Sequence, residues 1–309
     1  MWYYVKILRP VNLIIIAVTQ ALMYFLIVRS FIESSHFTPL LHQFQIILFI
    51  MVTVLIAAGG NVINDIFDVK LDLINKPDQT YIGNTISKKR AWILYSFLTV
   101  LGAIITIYLG YVAEKLNLMW IYPLAVILLY LYSSHFKYTF LIGNITVAFF
   151  TAFVIWILLL SHDALLFQTH HPAVKLLIAF GVFSFLANLI REIVKDLEDK
   201  DGDRSAGAKT LSVSMSANSV KKVVFSIAFL LFTGLVLSSS LFLNELFDFR
   251  ASIFMWVFLI APLVLMMLKL SKASDKKSYS AVSRFLKMYM LGGLCLCILL
   301  SENIAHVAQ

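Results

Sequence analysis

The sequence predicts an all-α, polytopic membrane protein with about nine transmembrane helices. Hydrophobic residues make up 61% of the chain and charged residues 14%, whereas globular proteins have about 45–50% and about 25%. The mean hydropathy is +0.88, and the apolar residues are gathered into runs of the length that crosses a bilayer core of about 30 Å. A water-soluble chain of 309 residues could not bury this much apolar surface, so a soluble protein is excluded.

Nine apolar runs are the predicted transmembrane helices, and each contains roughly 20 mostly apolar residues. They are 10–28, 44–64, 91–112, 117–134, 140–160, 173–195, 220–243, 252–270 and 284–301. Both halves of the chain hold four helices, with an acidic segment after the second helix of each half. We therefore expect a single domain over 1–309, with a candidate internal repeat that relates 1–138 to 139–271 and is followed by the ninth helix.

The formal net charge is +8, from 25 basic and 17 acidic residues. In a membrane protein, Lys and Arg are concentrated in cytoplasmic loops, so this excess does not indicate a nucleic-acid partner. If the chain alternates sides at each predicted helix, 21 of the 25 basic residues fall on the side of the N-terminus. The pattern predicts a multi-pass protein of the cell (inner) membrane with a cytoplasmic N-terminus and its C-terminus on the opposite side.

Ten of the 17 acidic residues form two clusters, which follow the second and sixth predicted helices in loops on the predicted cytoplasmic side. In each cluster the polar residues recur every three or four positions, which places them on one face of a helix. In the first cluster this face carries Asn61, Asn64 or Asp65, Asp68 and Asp72, and Asp78 follows. In the second it carries Glu192, Asp196, Asp199 and Asp203, while Glu198 and Asp201 lie off the face. We expect Asp203 just past the helix end because Gly202 permits a turn.

Carboxylates that share a helix face repel each other, and the free-energy cost increases near a membrane. Such a face therefore normally binds a cation. Mg²⁺ takes oxygen ligands, and it typically uses one or two carboxylates together with phosphate oxygens of a substrate. Solvated acids balanced by nearby lysines would explain one cluster, but two clusters at matching positions favour a site for Mg²⁺ and a diphosphate.

Two motifs resemble signatures of the UbiA superfamily of intramembrane prenyltransferases. They read Asn64-Asp65-x-x-Asp68-x-x-x-Asp72 and Lys195-Asp196-x-x-Asp199-x-x-Gly202-Asp203. The segment from Tyr132 to Asn144, which contains Lys137, is also similar to the family, and the resemblance covers nearly the whole chain. One departure follows Asp78, where Gln79-Thr80 stands in place of the Arg-Pro that the family often has.

The resemblance implies that Mg²⁺ neutralises the diphosphate of a polyprenyl donor, which then ionises to an allylic cation. It implies catalytic roles for four metal-binding aspartates and a lysine, which are Asp65, Asp68, Asp196, Asp199 and Lys195. Asp72 and Asp203 are further metal-binding candidates. Other candidates for substrate binding are Asn61, Asn64, Lys137, Arg191 and Lys209. Tyr132 is a further candidate, whose aromatic ring would lie beside the allylic cation.

The segment Leu8-Arg9-Pro10-Val11-Asn12 is similar to the opening of the family branch that makes digeranylgeranylglyceryl phosphate. This resemblance implies transfer of a geranylgeranyl group to the hydroxyl of a prenylated glycerol phosphate, a lipid-like acceptor that reaches the site among membrane lipids. Arg9 and Asn12 are then candidates for substrate binding.

Two other functions remain open at the level of the sequence. The aspartates do not determine the acceptor, so an aromatic or quinone-precursor prenyltransferase is the main alternative. A cation transporter is a distant alternative, because a permeation path places acids at mid-helix depth on several helices. Here the acids are concentrated at one membrane face.

Overall fold

The computed structural model describes residues 2–75 and 80–307. Over these ranges the regular secondary structure is helical, apart from one isolated bridge between Ile82 and Ile86. Nine helices in the described ranges are long and apolar enough to cross a membrane. The prediction of an all-α polytopic membrane protein is therefore confirmed. The predicted departure at Gln79, like the segment 76–79 as a whole, lies outside the described residues.

A short helix, α1 (Trp2–Leu8), precedes the transmembrane helices. These are α2 (Pro10–Ser34), α3 (Gln43–Asn75), α4 (Lys88–Val112), α5 (Leu116–Ser134), α6 (Ile142–Ser161), α7 (Pro172–Ser205), α8 (Ala217–Phe242), α9 (Phe249–Lys272) and α10 (Lys276–Val307). Packing divides the chain into two units. The first contains 1–21 and 39–137, and the second contains 22–38 and 138–309.

In the first unit, α3 packs against α1, α4 and α5. Helix α1 stops at Leu8 because the next residue, Arg9, has a left-handed backbone conformation with φ 55°. Pro10 then begins α2, where its missing N–H has no helical partner to lose. The buried core around α3 consists of Ile7, Ala58, Val62, Ile63, Ile66, Val69, Ile82, Ile86, Ala91 and Leu98. The first acidic cluster thus lies on a helix whose apolar face is packed into the core of this unit.

In the second unit, α7 is the central helix, and it packs against α6, α8 and α10. Of its most apolar stretch, 67% is buried, compared with at most 33% for any other transmembrane helix in the described ranges. His171 caps its start by accepting a hydrogen bond from the Ala173 N–H, 3.2 Å away. It ends at Ser205, and Gly207 follows with φ 73°. The second acidic cluster therefore lies on the best-enclosed helix of the described structure.

The expectation that the acidic clusters occupy loops was wrong. Helix α3 continues past the predicted end at 64 to Asn75, and α7 continues past 195 to Ser205. Asp203, expected beyond the helix end, lies within α7. A loss of hydrophobicity marks where a helix leaves the membrane, whereas the helix itself continues until its backbone hydrogen bonding is interrupted. Gly202 does not interrupt it, because glycine only lowers helix stability by about 1 kcal/mol relative to alanine.

Helix α6 approaches α7 closely where Trp156, at the end of the α-helical part of α6, packs against Gly181. The Trp156 indole Nε1 donates a hydrogen bond to the Ile178 carbonyl at 3.3 Å. A methyl group added at Gly181 would lie 1.8 Å from that same nitrogen. Glycine at this position therefore permits the close approach of α6 and α7.

We expect Gly181→Ala to destabilise the protein by about 1–3 kcal/mol, because the added methyl group forces the indole and the helix apart. The matched control is Gly293→Ala on α10, where an added methyl group has no neighbour within 4 Å. Unfolding of both purified variants in mixed detergent micelles measures the difference. Equal stability of the two variants would contradict this account of the crossing.

Candidate active site

The first acidic cluster surrounds a buried lysine. Lys137 follows α5 and donates hydrogen bonds to Asp68 Oδ1 at 2.5 Å and to Asn64 Oδ1 at 3.2 Å. The amide of Asn64 in turn donates to Asp68 Oδ2 at 2.8 Å. Only 10% of the Lys137 side chain and 13% of the Asp68 side chain are exposed. Three predicted site residues therefore form one connected polar group.

Burial lowers the pKa of Lys137 below its usual range, since removal from water disfavours the charged ammonium. The negative charges of Asp68, Asp72 and Asp65 act in the opposite direction. The four groups are therefore close enough to influence each other electrostatically. In such a water-poor environment each charge interacts more strongly than it would at an exposed surface.

Asp65 has a different basic partner. The guanidinium of Arg9 donates a hydrogen bond from Nη2 to Asp65 Oδ1 at 2.6 Å. Asn61, one turn earlier on α3, donates from Nδ2 to the Leu8 carbonyl at 3.0 Å. Asn12 is exposed, and its backbone N–H donates to the Arg9 carbonyl at 2.9 Å. The structure thus connects the first cluster to the junction between α1 and α2.

Aromatic rings lie next to the first cluster. The ring of Phe67, adjacent in sequence to Asp68, makes edge contacts with Tyr130 at 5.4 Å and with Trp92 at 6.5 Å between centroids. Tyr132, the ring expected from the sequence, is half-buried on α5. Aromatic faces stabilise nearby cations, so this unit combines anionic and aromatic groups.

The second acidic cluster lies on the last three turns of α7. Asn144, buried on α6, donates from Nδ2 to Asp196 Oδ2 at 2.9 Å. Asp203 Oδ2 accepts a hydrogen bond from the Thr210 hydroxyl at 3.2 Å. A neutral amide and a hydroxyl thus bind these two carboxylates, whereas basic groups bind Asp65 and Asp68 in the first cluster.

The remaining candidates of the second unit are less enclosed. Arg191 forms an ion pair with its neighbour Glu192. Lys195 and Asp199 are half-buried on α7. The Lys209 side chain is exposed, and its backbone N–H donates to the Tyr138 carbonyl at 2.8 Å.

Sequence reasoning missed Asn144 and Thr210 as partners of the aspartates. Asn144 is a polar residue in an otherwise apolar run, which is the signal that could have identified it, because buried polar groups in membrane helices are usually functional. Thr210 stands in the segment Gly207-x-Lys209-Thr210 after the second motif, which is also similar to the family, but this similarity did not indicate a contact with Asp203. Its contact depends on the turn that brings it back to Asp203 after Gly207.

Neither cluster is a complete metal site by itself. Across residues 2–75 and 80–307, no three His, Cys, Asp or Glu side chains are grouped so that they could hold a metal ion. The carboxylate and amide oxygens that are present nevertheless suit Mg²⁺, which typically needs only one or two carboxylates when a phosphate supplies further ligands. The donor set therefore fits Mg²⁺ bound together with a diphosphate.

The profile of the UbiA prenyltransferase family matches residues 14–291. This chain belongs to that family. It is accordingly a multi-pass membrane enzyme that transfers prenyl groups. The resemblance predicted from the two aspartate motifs is confirmed, and membership favours the enzyme over the cation transporter that the sequence left open.

Similar curated proteins include two archaeal enzymes. The digeranylgeranylglyceryl phosphate synthase of Methanothermobacter thermautotrophicus is 30% identical over 295 residues, which cover 93% of this chain and 92% of the relative. The enzyme of the same name from Sulfurisphaera tokodaii is 32% identical, over 82% and 84% of the two chains. This prenyltransferase is thus similar to them over most of its length.

Solved structures share its fold. A digeranylgeranylglyceryl phosphate synthase aligns with a TM-score of 0.65 and 25% identity, over 98% of both chains. A UbiA homologue from Archaeoglobus fulgidus, bound to GPP and Mg²⁺, aligns with a TM-score of 0.59 and 16% identity, over 96% and 99% of the two chains. The second likeness shows that the helical fold extends to distant relatives.

We expect Lys137 and Asp68 of this prenyltransferase to be strongly coupled in stability, because removing one partner leaves the other charge buried. A double-mutant cycle with Lys137→Met and Asp68→Asn should give a coupling free energy of about 1–3 kcal/mol. Unfolding titrations in mixed micelles supply the four free energies.

The control cycle uses Arg29 and Glu33, whose side chains are 49% and 63% exposed. Exposed pairs of this kind contribute little to stability, because water screens their charges. Similar coupling free energies in the two cycles would show that burial does not strengthen the interaction between Lys137 and Asp68.

Proposed function

We propose that this prenyltransferase transfers a geranylgeranyl group from its diphosphate to the free hydroxyl of a prenylated glycerol phosphate. The similarity to digeranylgeranylglyceryl phosphate synthases over 93% of the chain supports this acceptor. The opening segment from Leu8 to Asn12, with an exposed Asn12 and a half-exposed Arg9, supplies polar groups for a phosphate-bearing lipid. In this proposal the acceptor arrives from the membrane, among its lipids.

The geometry that supports a diphosphate donor is the group formed by Lys137, Asp68 and Asn64. A diphosphate carries several negative charges and needs cationic partners as it leaves. Lys137 supplies an ammonium that is already held in place, so little reorganisation is required when the negative charge develops. In the proposal its protons turn toward phosphate oxygens.

Mg²⁺ is the proposed metal, with Asp65, Asp68, Asp196 and Asp199 as its protein ligands. Asp72 and Asp203 complete the proposed set. When bound, Mg²⁺ would neutralise the diphosphate and so favour its departure. The A. fulgidus relative, which shares the fold, is bound to Mg²⁺ and GPP in its solved structure.

The proposed reaction replaces one carbon–oxygen bond by another. The bond between the donor's first carbon and the diphosphate breaks, and it leaves an allylic cation. Phe67 and Tyr130 lie beside the first cluster, where their ring faces would stabilise that cation. The C–O electron pair stays on the pyrophosphate, which is released. The acceptor's hydroxyl oxygen then bonds to the carbon and gives up its proton to water or to the released pyrophosphate, which yields an ether.

The proposed orientation places the N-terminus and both acidic clusters on the cytoplasmic side of the cell membrane. The basic residues support this orientation, because 21 of the 25 fall on the cytoplasmic side if the chain changes sides of the membrane at each transmembrane helix. Water-soluble Mg²⁺ is accessible from the cytoplasm. Lys195, Arg191 and Lys209, all at this end of α7 or shortly after it, would then contribute positive charge near the phosphates.

We expect Asp68→Asn and Asp196→Asn each to lower kcat by about 100-fold or more, because each removes a charged metal ligand. Magnesium-dependent pyrophosphate release measures the effect. The control is Asp275→Asn, since Asp275 accepts a hydrogen bond from the Ser278 N–H at the start of α10 and lies outside both clusters. Full activity of either cluster variant would contradict the proposed metal ligands.

We expect radiolabelled geranylgeranyl diphosphate to label a geranylgeranylglyceryl phosphate acceptor, because the resemblance extends to the opening segment as well as to the aspartate motifs. The purified enzyme is assayed in parallel with a hydroxybenzoate and a naphthoate. Product on an aromatic acid and none on the glycerol phosphate would reject the proposed acceptor while leaving the prenyltransferase activity intact.

A further inference from the structure

The junction between α1 and α2 is fastened to α3 by two residues of the first acidic cluster. Asn61 Nδ2 donates to the Leu8 carbonyl at 3.0 Å, and the Arg9 guanidinium donates to Asp65 Oδ1 at 2.6 Å. Between these contacts, Arg9 has φ 55°, a left-handed conformation that is strained for a residue other than glycine. The surrounding contacts therefore hold Arg9 in a strained position from which its side chain reaches Asp65.

Arg9 occupies one oxygen of the carboxylate that the proposed function assigns to a metal ion. Its guanidinium, 2.6 Å from Asp65 Oδ1, uses electron pairs of that oxygen to which a divalent cation could otherwise bind. It also repels such a cation, because both are positively charged. A metal ion without a phosphate would therefore have to compete with Arg9 for Asp65.

The two basic residues that bind the first cluster, Arg9 and Lys137, differ in how much their side chains are enclosed. Lys137 is 10% exposed and is bound to both Asp68 and Asn64. The Arg9 side chain is 44% exposed, and Asp65 is the acid with which it forms an ion pair in the described structure. Its long side chain can therefore leave Asp65 without uncovering a buried charge of its own.

We propose that Arg9 is an exchangeable counterion of Asp65. It pairs with this carboxylate in the substrate-free protein and transfers to phosphate oxygens when a metal ion and a diphosphate enter together. The inference rests on the proposed function, because it takes Asp65 to be a metal ligand. It adds a rule for the order of binding: the metal ion alone binds weakly, and the metal ion with its diphosphate binds well.

The exchange predicts opposite effects of one substitution on two affinities. Arg9→Gln removes the competitor at Asp65, so Mn²⁺ alone should bind more tightly. The same substitution removes a phosphate partner, so pyrophosphate should bind more weakly in the presence of Mn²⁺. A purely structural role for Arg9 would weaken both affinities, since a distorted cluster binds neither ligand well.

The experiment measures binding to the full-length protein in detergent by equilibrium dialysis, once with radiolabelled Mn²⁺ alone and once with radiolabelled pyrophosphate in the presence of Mn²⁺. A half-exposed ion pair contributes up to about 1 kcal/mol, so we expect Arg9→Gln to tighten the binding of Mn²⁺ alone by about fivefold. With pyrophosphate present, Arg9→Gln should bind its ligand more weakly than the wild type does. Arg9→Lys keeps the charge, and its affinity for Mn²⁺ alone should stay close to that of the wild type.

The control is Lys6→Gln. Lys6 lies on α1 and donates to the Tyr81 hydroxyl at 3.1 Å, so its substitution removes the same amount of charge from the same end of the chain. We expect it to leave both affinities unchanged. Melting temperatures of all variants verify that each is folded.

The outcomes separate this inference from the proposed function. Wild-type protein that binds no Mn²⁺, even with pyrophosphate, would reject both. Wild-type protein that binds Mn²⁺ with pyrophosphate and forms product would support the proposed function. If in that case Arg9→Gln behaves like Lys6→Gln, or weakens the binding of Mn²⁺ alone, the counterion exchange is wrong.

Discussion

Carboxylates on one helix face repel each other, and each acidic cluster needs partner groups that offset this repulsion. Each cluster places acids three or four residues apart at the end of a membrane helix, and partial burial of these acids strengthens their repulsion. The chain offsets this repulsion differently in its two units. Arg9 and Lys137 neutralise the first cluster, whereas an amide from Asn144 and a hydroxyl from Thr210 solvate the second.

This difference between the clusters has a chemical consequence. In the first cluster, Arg9 and Lys137 offset two of the three aspartate charges and are cationic groups available to a phosphate. In the second cluster, neutral groups bind Asp196 and Asp203, and an ion pair joins Arg191 to Glu192. Each unit thus brings a different kind of group to the proposed function: carboxylates paired with basic side chains in the first, and carboxylates bound by neutral groups in the second.

The sequence determined the class of fold and the location of both clusters, because both depend on local pattern. Nine apolar runs gave the helices, and a period of three or four gave the acidic faces. The apolar runs predicted to end at 64 and 195 belong to helices that continue to Asn75 and Ser205, since hydrophobicity reports the membrane boundary and not the end of the backbone hydrogen bonding. The partners of Asp65 and Asp196 required the structure, because Arg9 and Asn144 lie more than 50 residues away along the chain.

The enclosure of α7 also affects how the protein responds to its lipid. Outer helices contact lipid along much of their length, so a thicker or thinner bilayer tilts or strains them. Two thirds of the apolar stretch of α7 is covered by protein, and its neighbours therefore absorb most of such a mismatch. We therefore expect bilayer thickness to displace the carboxylates at its end less than groups on the outer helices.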